Sequence, residues 1–414
     1  MTEFYKITQN FLKCEKFASR RKRVSIIFEE DGAESVDLSI IVPMYNTEKY
    51  ICETLNSLVS SDFQNLEIIV VDDGSEDNSL QIAVNWFQQR KQAGKVLSHK
   101  NQGPSASRNE GIRLARGKYI TFFDSDDICV AATYRKMLHV LDRNPIDFVI
   151  ARGVSFDNNT QAVSGFPDSY VWDSILQGRT IHISTLMQEP RIARLESSSV
   201  LRIFKREFLI SNQLTFPEKL FFEDAAFHAA CMLRARRVAL LGETLLFYRV
   251  GREGQTTGSF GKKRFNMLRI LDIIREDVEQ NDVPDSIGAN LIGLLVRMVV
   301  WCSEFCAYDD RPTFILDAVK RLNAFPKMWI PLYASDYAYD DWERELCAAI
   351  TSCDYGKLAK IAENVPEDKT DFNKNEDASL IGAILDNKKM HSIFKKANRR
   401  IKNITQSLKT RSGN

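Results

Sequence analysis

The chain has no C-x-x-C pair among its eight cysteines, at 14, 52, 129, 231, 302, 306, 347 and 353, and few histidines near them. That spacing gives neither a zinc site nor a disulfide framework and fits reduced, buried thiols. Cys302 and Cys306 lie one helical turn apart without further ligands nearby and read as packing residues. An excess of one charge is also missing. With 56 Lys and Arg against 55 Asp and Glu, the net charge is +1, and no overall field marks a nucleic-acid binder. Long apolar runs are scarce too. The longest, Ile287 to Cys302, contains Asn290 and Arg297, is too short to span a bilayer comfortably, and reads as a buried helix. Met1 to Lys13 holds no continuous apolar segment, and Arg20-Arg-Lys-Arg23 is followed by none, so the expectation is a cytosolic protein without a secretory leader. What remains, 44% hydrophobic and 27% charged over 414 residues, is an ordinary globular composition with ample core.

From Leu38 onward a regular alternation appears. Leu38 to Val42 reads as a buried strand ended by Pro43, and Glu48 to Ser61 as a helix capped by Thr47. Leu66 to Val71 is a second buried strand, Asp77 to Arg90 a helix, Lys95 to Ser98 a short strand, and Ser105 to Arg116 a helix. Tyr119 to Phe123, Ala131 to Asp142 and Asp147 to Arg152 continue as strand, helix, strand. Such alternation predicts an α/β fold with a mostly parallel sheet covered on both faces.

Ligands bind such sheets outside the carboxyl ends of the strands. Those ends carry Pro43-Met-Tyr45-Asn46, Asp72-Asp73-Gly74-Ser75 and Asp124-Ser-Asp126-Asp127. Carboxylates crowded at the end of an apolar strand are costly unless a cation neutralises them. Hard cations such as Mg²⁺ or Mn²⁺, carrying a diphosphate, suit that chemistry. Capping aspartates and turn glycines explain each cluster singly, but not all of them converging on one edge.

Read in order, Leu38-Ser-Ile-Ile-Val-Pro-Met-Tyr-Asn46, Ile68-Ile-Val-Val-Asp-Asp-Gly-Ser75, Asn101-Gln-Gly-Pro-Ser-Ala-Ser-Arg-Asn-Glu-Gly111 and Gly117-Lys-Tyr-Ile-Thr-Phe-Phe-Asp-Ser-Asp-Asp127 resemble the family 2 glycosyltransferases. The resemblance implies a GT-A fold, a nucleotide-sugar donor, a divalent metal (Mn²⁺ or Mg²⁺) and transfer with inversion at the anomeric carbon. It assigns the donor to Pro43, Tyr45, Asp73, Arg108 and Asp124, with Asp73 accepting from a uracil N3–H. Asp126 is the direct metal ligand, Asp124 meets the ribose or a metal-bound water, and Asp127 braces the loop. Arg108, in the first turns of a helix, also suits a phosphate or an ion pair with a neighbouring aspartate.

Later segments resemble the acceptor side of bacterial members: Ser198 to Leu209, Leu214-Thr-Phe-Pro217 and Phe221-Phe-Glu-Asp224-Ala-Ala-Phe227. There Asp224 is the expected base for the acceptor hydroxyl, with Glu223 supporting it or serving as the alternative base. An acidic helix N-terminus is the plain structural reading of the same pair. His228, one turn on, stays outside the catalytic set. Leu246-Phe-Tyr-Arg249-Val-Gly-Arg252 resembles the family's closing segment, which makes Arg249 and Arg252 candidates for the donor diphosphate. A histidine common there is missing, which leaves a third protein ligand for the metal in doubt.

The predicted organisation is an N-terminal extension (1–36), a GT-A domain (37–260, with a nucleotide half to 150 and an acceptor half from 151), and a helical region (261–362). A polar linker (363–387) and a basic amphipathic helix (388–414) follow. That last stretch holds nine Lys or Arg and no acid, with Ile393, Ala397, Ile401, Ile404 and Leu408 at helical spacing. It suits an anionic membrane surface, and equally a solvated tail or a subunit contact. The expected function is transfer from a UDP-sugar to a glycan or lipid-linked acceptor in bacterial surface polysaccharide synthesis. A non-catalytic scaffold of the same fold is the alternative. A sugar-nucleotide pyrophosphorylase fits less well, because a Gly-rich, basic loop is missing after the first strand.

Overall fold

The computed structural model describes residues 24–30, 35–59, 65–252, 255 and 260–358. The predicted linker and terminal basic helix lie outside them. Eleven strands join one sheet: β1 (Ser25–Glu30), β2 (Leu38–Met44), β3 (Leu66–Asp72), β4 (Gly94–Ser98), β5 (Tyr119–Phe122), β6 (Ile128–Cys129), β7 (Phe148–Asp157), β8 (Val163–Gly165), β9 (Ile181–Ser184), β10 (Arg202–Lys205) and β11 (Val238–Val250). Its order is β1-β4-β3-β2-β5-β10-β7-β11-β6, with β8 on β7 and β9 on β11.

The first half matches the α/β expectation. β4, β3, β2 and β5 are parallel neighbours, and every residue of β2 and β3 is buried, as strands covered on both faces require. The helices α1 (Ile51–Leu58), α2 (Ser79–Arg90) and α3 (Pro104–Leu114) connect them, and α4 (Ala131–Arg143) leads from β6 to β7. α3 lies so close on β2 that a Cβ at Gly111 would sit 2.3 Å from Ile41 Cγ2, so only glycine fits there. The second half departs from uniform alternation. β10 inserts antiparallel between β5 and β7, and β11 pairs parallel with β7 over most of its length. β1, from the expected N-terminal extension, pairs antiparallel with β4 at the sheet edge.

Two local expectations need correction. β2 does not end at Pro43 but runs to Met44, with Pro43 opposite Val71. Main-chain groups of alternate residues point to the same side, and Ile41 already bonds β5, accepting from Phe123 N at 2.9 Å. Pro43, two residues on, therefore turns its missing N–H toward β5, beyond the last β2–β5 pair at Ile41–Phe122. Thr47 does not cap the next helix, which starts at Ile51. Its N–H donates to Ser79 Oγ (2.7 Å) and its hydroxyl to Ser125 Oγ (3.2 Å), tying two rim loops together.

Smaller helices α5 (Ser169–Leu176) and α6 (Arg206–Ser211) flank the sheet. Then α7 (Glu223–Arg234) leads to the helical region: α8 (Asn266–Glu279), α9 (Asp285–Glu304), α10 (Arg311–Leu322), α11 (Trp329–Leu332) and α12 (Asp341–Thr351). These helices enclose a second apolar core. Phe227, Cys231 and Met232 of α7 sit in the sheet core, while Ala225, Ala226 and Ala229 sit in the helical one. Thus α7 is shared by both. α9, which contains the apolar stretch from Ile287, is long and apolar enough to cross a membrane, but 78% of its apolar window is buried inside the protein.

Candidate active site

The loops after β2, β3 and β5 meet at one rim. Asp73 N donates to Met44 O at 2.8 Å, Asn46 N to Ser75 Oγ at 3.0 Å, and Glu76 N to Asn46 Oδ1 at 2.9 Å. Asp73 is buried, and its two carboxylate oxygens accept from Gln102 N (2.7 Å) and Gly103 N (2.8 Å). It therefore fixes the start of α3, one turn before Arg108. Burial pushes its carboxyl above the usual range while those two amides pull it back. A carboxylate accepting two bonds keeps further lone pairs, so the geometry leaves Asp73 able to meet a nucleobase as well.

Arg108 is the centre of the site. It is buried, packs 5.3 Å from the Phe216 ring centroid, and donates to Asp124 Oδ1 (2.8 Å) and Glu223 Oε1 (2.6 Å), with Asp224 Oδ1 at 4.0 Å. Burial works against its charge, but Asp224, Asp124 and Glu223 together outweigh this and raise its pKa. In this way the strand-end acidic loop and the N-terminus of α7 share one cation. Asn109 secures the same junction through Nδ2 to Phe216 O (2.9 Å) and Oδ1 from Phe216 N (2.8 Å).

The sequence-predicted residues divide into those facing the rim and those beneath it. Asp124, Asp126, Asp224 and Glu223 gather around Arg108 and Arg252; Tyr45 stands 44% exposed at the rim. Pro43 is inside β2 and buried. Arg249 differs most from its expected role. Its N–H donates to Asp127 Oδ1 (2.8 Å), its Nε to Asp126 O (2.7 Å), and its terminal nitrogens to Asn158 Oδ1 (2.8 Å) and Glu53 Oε2. With Tyr50 and Phe156 rings 4.8 and 4.7 Å away, it is a buried brace under the acidic loop rather than a ligand for diphosphate. Arg252 instead pairs through Nε with the Asp126 carboxylate. His228 is structural: it bridges Arg202 (2.8 Å) and Ala193 O (2.9 Å), and burial drives its pKa down to about 3.

Sequence reasoning did not single out Glu53, Asn158, Phe216 or His99. His99 Nδ1 lies 3.3 Å from Asp73 Oδ1 and its Nε2 meets Ser107 Oγ at 3.2 Å. Asn109 and Phe216 lie inside family-like segments, Asn101–Gly111 and Leu214–Pro217, which is the signal that could have found them.

The site is rich in negative charge. Asp124, Asp126, Asp127, Glu223 and Asp224 face Arg108, Arg249 and Arg252. Burial, then Asp126 and Asp124, push Asp127 well above the usual carboxylate range, and its Oδ2 is buried without a hydrogen bond. Asp126 is raised by burial against the pull of Arg252. Glu223 is pushed up to about 7 by burial, against Arg108. Among the described residues no three His, Cys, Asp or Glu side chains form a metal cage. Two carboxylates, Asp124 and Asp126, nonetheless suit a hard cation whose other positions a diphosphate and water fill. The unrelieved negative charge fits that group. Beside the rim, an open cleft of about 740 Å³ runs between Lys100–Ser105 and Lys219–Phe221.

Comparison with known proteins agrees with this geometry. The model for Glycosyl transferase family 2 matches residues 39–188. An uncharacterized glycosyltransferase of Haemophilus influenzae is 30% identical over 226 residues, 54% of this chain and 83% of that protein. The poly(ribitol-phosphate) beta-N-acetylglucosaminyltransferase TarS of Staphylococcus aureus is 28% identical over 251 residues, covering 60% of this chain. The chain spans only 41% of the length of TarS. The crystal structure of TarS 1-349 in complex with UDP-GlcNAc superposes with a TM-score of 0.63 at 25% identity, over 79% of this chain and 91% of that one. Sheet, rim and sequence agree: the chain belongs to glycosyl transferase family 2 and has its GT-A fold.

Proposed function

We propose that this chain is a metal-dependent, inverting glycosyltransferase that moves a sugar from a UDP-sugar to a hydroxyl of a glycan or lipid-linked acceptor, in surface polysaccharide synthesis. The observation that carries it is the shared cation: Arg108 holds Asp124 of the donor rim and Glu223 of α7 at once. UDP-GlcNAc is the first donor to test, given the similarity to TarS 1-349.

In this reading Tyr45 and Asp73 receive the nucleobase, and Asp124 and Asp126 hold Mn²⁺ or Mg²⁺. The cation, when bound, stabilises negative charge on the leaving diphosphate. Arg252 is released from Asp126 as ligand arrives and turns to the diphosphate, placing positive charge where it develops. Asp224 takes the acceptor proton. Its side chain keeps 24% of its surface exposed beside Arg108, which leaves the carboxylate within reach of an incoming hydroxyl. Burial raises the Asp224 carboxyl while Arg108 pulls it back, a balance suited to a base. Glu223 fixes Arg108 so that this pull is held in place.

The deciding experiment incubates the full chain with a panel of nucleotide sugars and Mn²⁺ and follows nucleotide release. Turnover of a UDP-sugar, lost on chelation and in Asp126→Ala, supports the reading. No turnover of any donor, alongside metal-dependent UDP binding, would make the chain a scaffold. We also place the protein at the cytoplasmic membrane face through residues 388–414, on their basic amphipathic pattern. Deleting them should abolish binding to vesicles containing acidic lipid; unchanged binding would end that part.

A further inference from the structure

Phe222, the residue before the Glu223–Asp224 pair, adopts left-handed backbone at φ 67° and ψ 23°. Glycine or asparagine is the usual occupant of that region, so packing must hold a phenylalanine there. The packing comes from the helical region. The Phe222 ring meets Trp301 of α9 edge-on at 5.6 Å. Arg264, fully buried, places its guanidinium carbon 5.4 Å from the Phe222 centroid, 4.4 Å from Trp301 and 4.5 Å from Phe305. The same turn, Lys262–Phe265, grips the preceding residue: Lys263 Nζ lies 4.9 Å over the Phe221 ring, and Phe221 N donates to Asn266 Oδ1 at 3.3 Å. Gly261 N, donating to Phe305 O at 2.9 Å, fastens the turn to the end of α9.

We infer that Phe222, Arg264 and Trp301 are positioning residues for the Glu223–Asp224 pair, so that the helical region forms part of the catalytic unit. The inference rests on the reading of Asp224 as the acceptor base. Its physical content is direct. The dihedral angles of Phe222 set the direction in which α7 begins, and hence where both carboxyls stand relative to Arg108. A guanidinium between aromatic faces gives the stack a fixed geometry that an aliphatic contact would not.

The test compares Phe222→Ala, Phe222→Tyr, Trp301→Ala and Arg264→Met with Asp224→Asn in the full chain. The donor is the panel member turned over fastest, and UDP with Mn²⁺ is the binding probe. Expected are a fall of at least tenfold in kcat for Phe222→Ala, Trp301→Ala and Arg264→Met, UDP affinity within twofold of wild type, and near-complete retention in Phe222→Tyr. A crystal structure of Phe222→Ala should show Glu223 moved out of hydrogen-bond reach of Arg108. Wild-type kcat in Phe222→Ala, or Glu223 still seated on Arg108 there, would overturn the inference. So would equal loss of UDP affinity. If Asp224→Asn retains full activity, the base assignment itself fails, a result distinct from any of these.

Discussion

The Arg108 guanidinium donates to Glu223 Oε1 at 2.6 Å, although 115 residues separate the two in the chain. Both side chains are buried; Arg108 is the principal cation offsetting the burial of Glu223, while Glu223 shares the compensation of Arg108 with Asp224 and Asp124. Removing one partner of such a pair typically costs about 3–5 kcal/mol. Arg108→Ala should therefore lower the thermal midpoint by several degrees as well as abolish turnover. Arg108→Lys should keep a charge but lose the two-pronged contact, because an ammonium cannot bridge Asp124 and Glu223 with the same planar fork. Thermal melts and donor turnover of both variants measure this.

Asp224→Asn keeps the shape of the site and removes the proton acceptor. A positioned general base contributes roughly 10²–10⁴-fold. The expected outcome is a loss of that order in kcat with UDP affinity unchanged, read from initial rates and calorimetry.

Arg249 and Arg252 should behave differently despite lying three residues apart. Arg249 makes four hydrogen bonds beneath Asp126 and Asp127, two of them to main-chain or loop-fixing groups, and is buried between two rings. The main-chain N–H bond to Asp127 survives substitution; the three guanidinium bonds do not. Arg249→Met should destabilise by about 2–4 kcal/mol, as loss of a buried charged hydrogen-bonding group does. Arg252→Ala should depress kcat and, by leaving the buried Asp126 carboxylate without this ion pair, destabilise the metal-free protein by an amount that added Mn²⁺ reduces, whereas the loss in Arg249→Met does not respond to Mn²⁺. Denaturant melts paired with turnover separate the two.

Much of this was legible in the sequence for the first half of the chain. β2, β3 and β5 are short, mostly apolar runs, β3 and β5 leading into aspartates and β2 into Tyr45-Asn46, and parallel pairing necessarily places those ends side by side. The second half was less legible for a physical reason. β10 and β11 contribute to the sheet through partners far away in sequence, and Arg202 and Arg249 stand within them as buried charges that no periodicity reveals. Arg249 and Arg252 look alike in a basic loop. What separates them is that Phe247 pairs with Ile128, which carries Arg249 under the acidic turn. The left-handed Phe222 had no signal at all, because aromatic residues rarely mark such a position.

Acid should stabilise the ligand-free protein. Glu223 is raised to about 7 by burial against Arg108, and Glu196 to about 7 by burial and then Asp168, from ordinary values of 4.5. Between pH 4.5 and 7 the folded chain then holds protons that the unfolded chain has released, so these groups make stability fall as pH rises through that window. The thermal midpoint should rise from pH 8 to pH 6, and the rise should shrink in Glu223→Gln. A midpoint that drops over that range would contradict the raised values.

The most direct measurement is calorimetric titration of UDP into the full chain with and without Mn²⁺, for wild type, Asp73→Ala and Asp126→Ala. The account predicts saturable binding that Mn²⁺ strengthens at least tenfold, loss of the Mn²⁺ effect in Asp126→Ala, and weak binding under both conditions in Asp73→Ala. UDP binding that ignores Mn²⁺ and both substitutions, or no UDP binding at all, would contradict it.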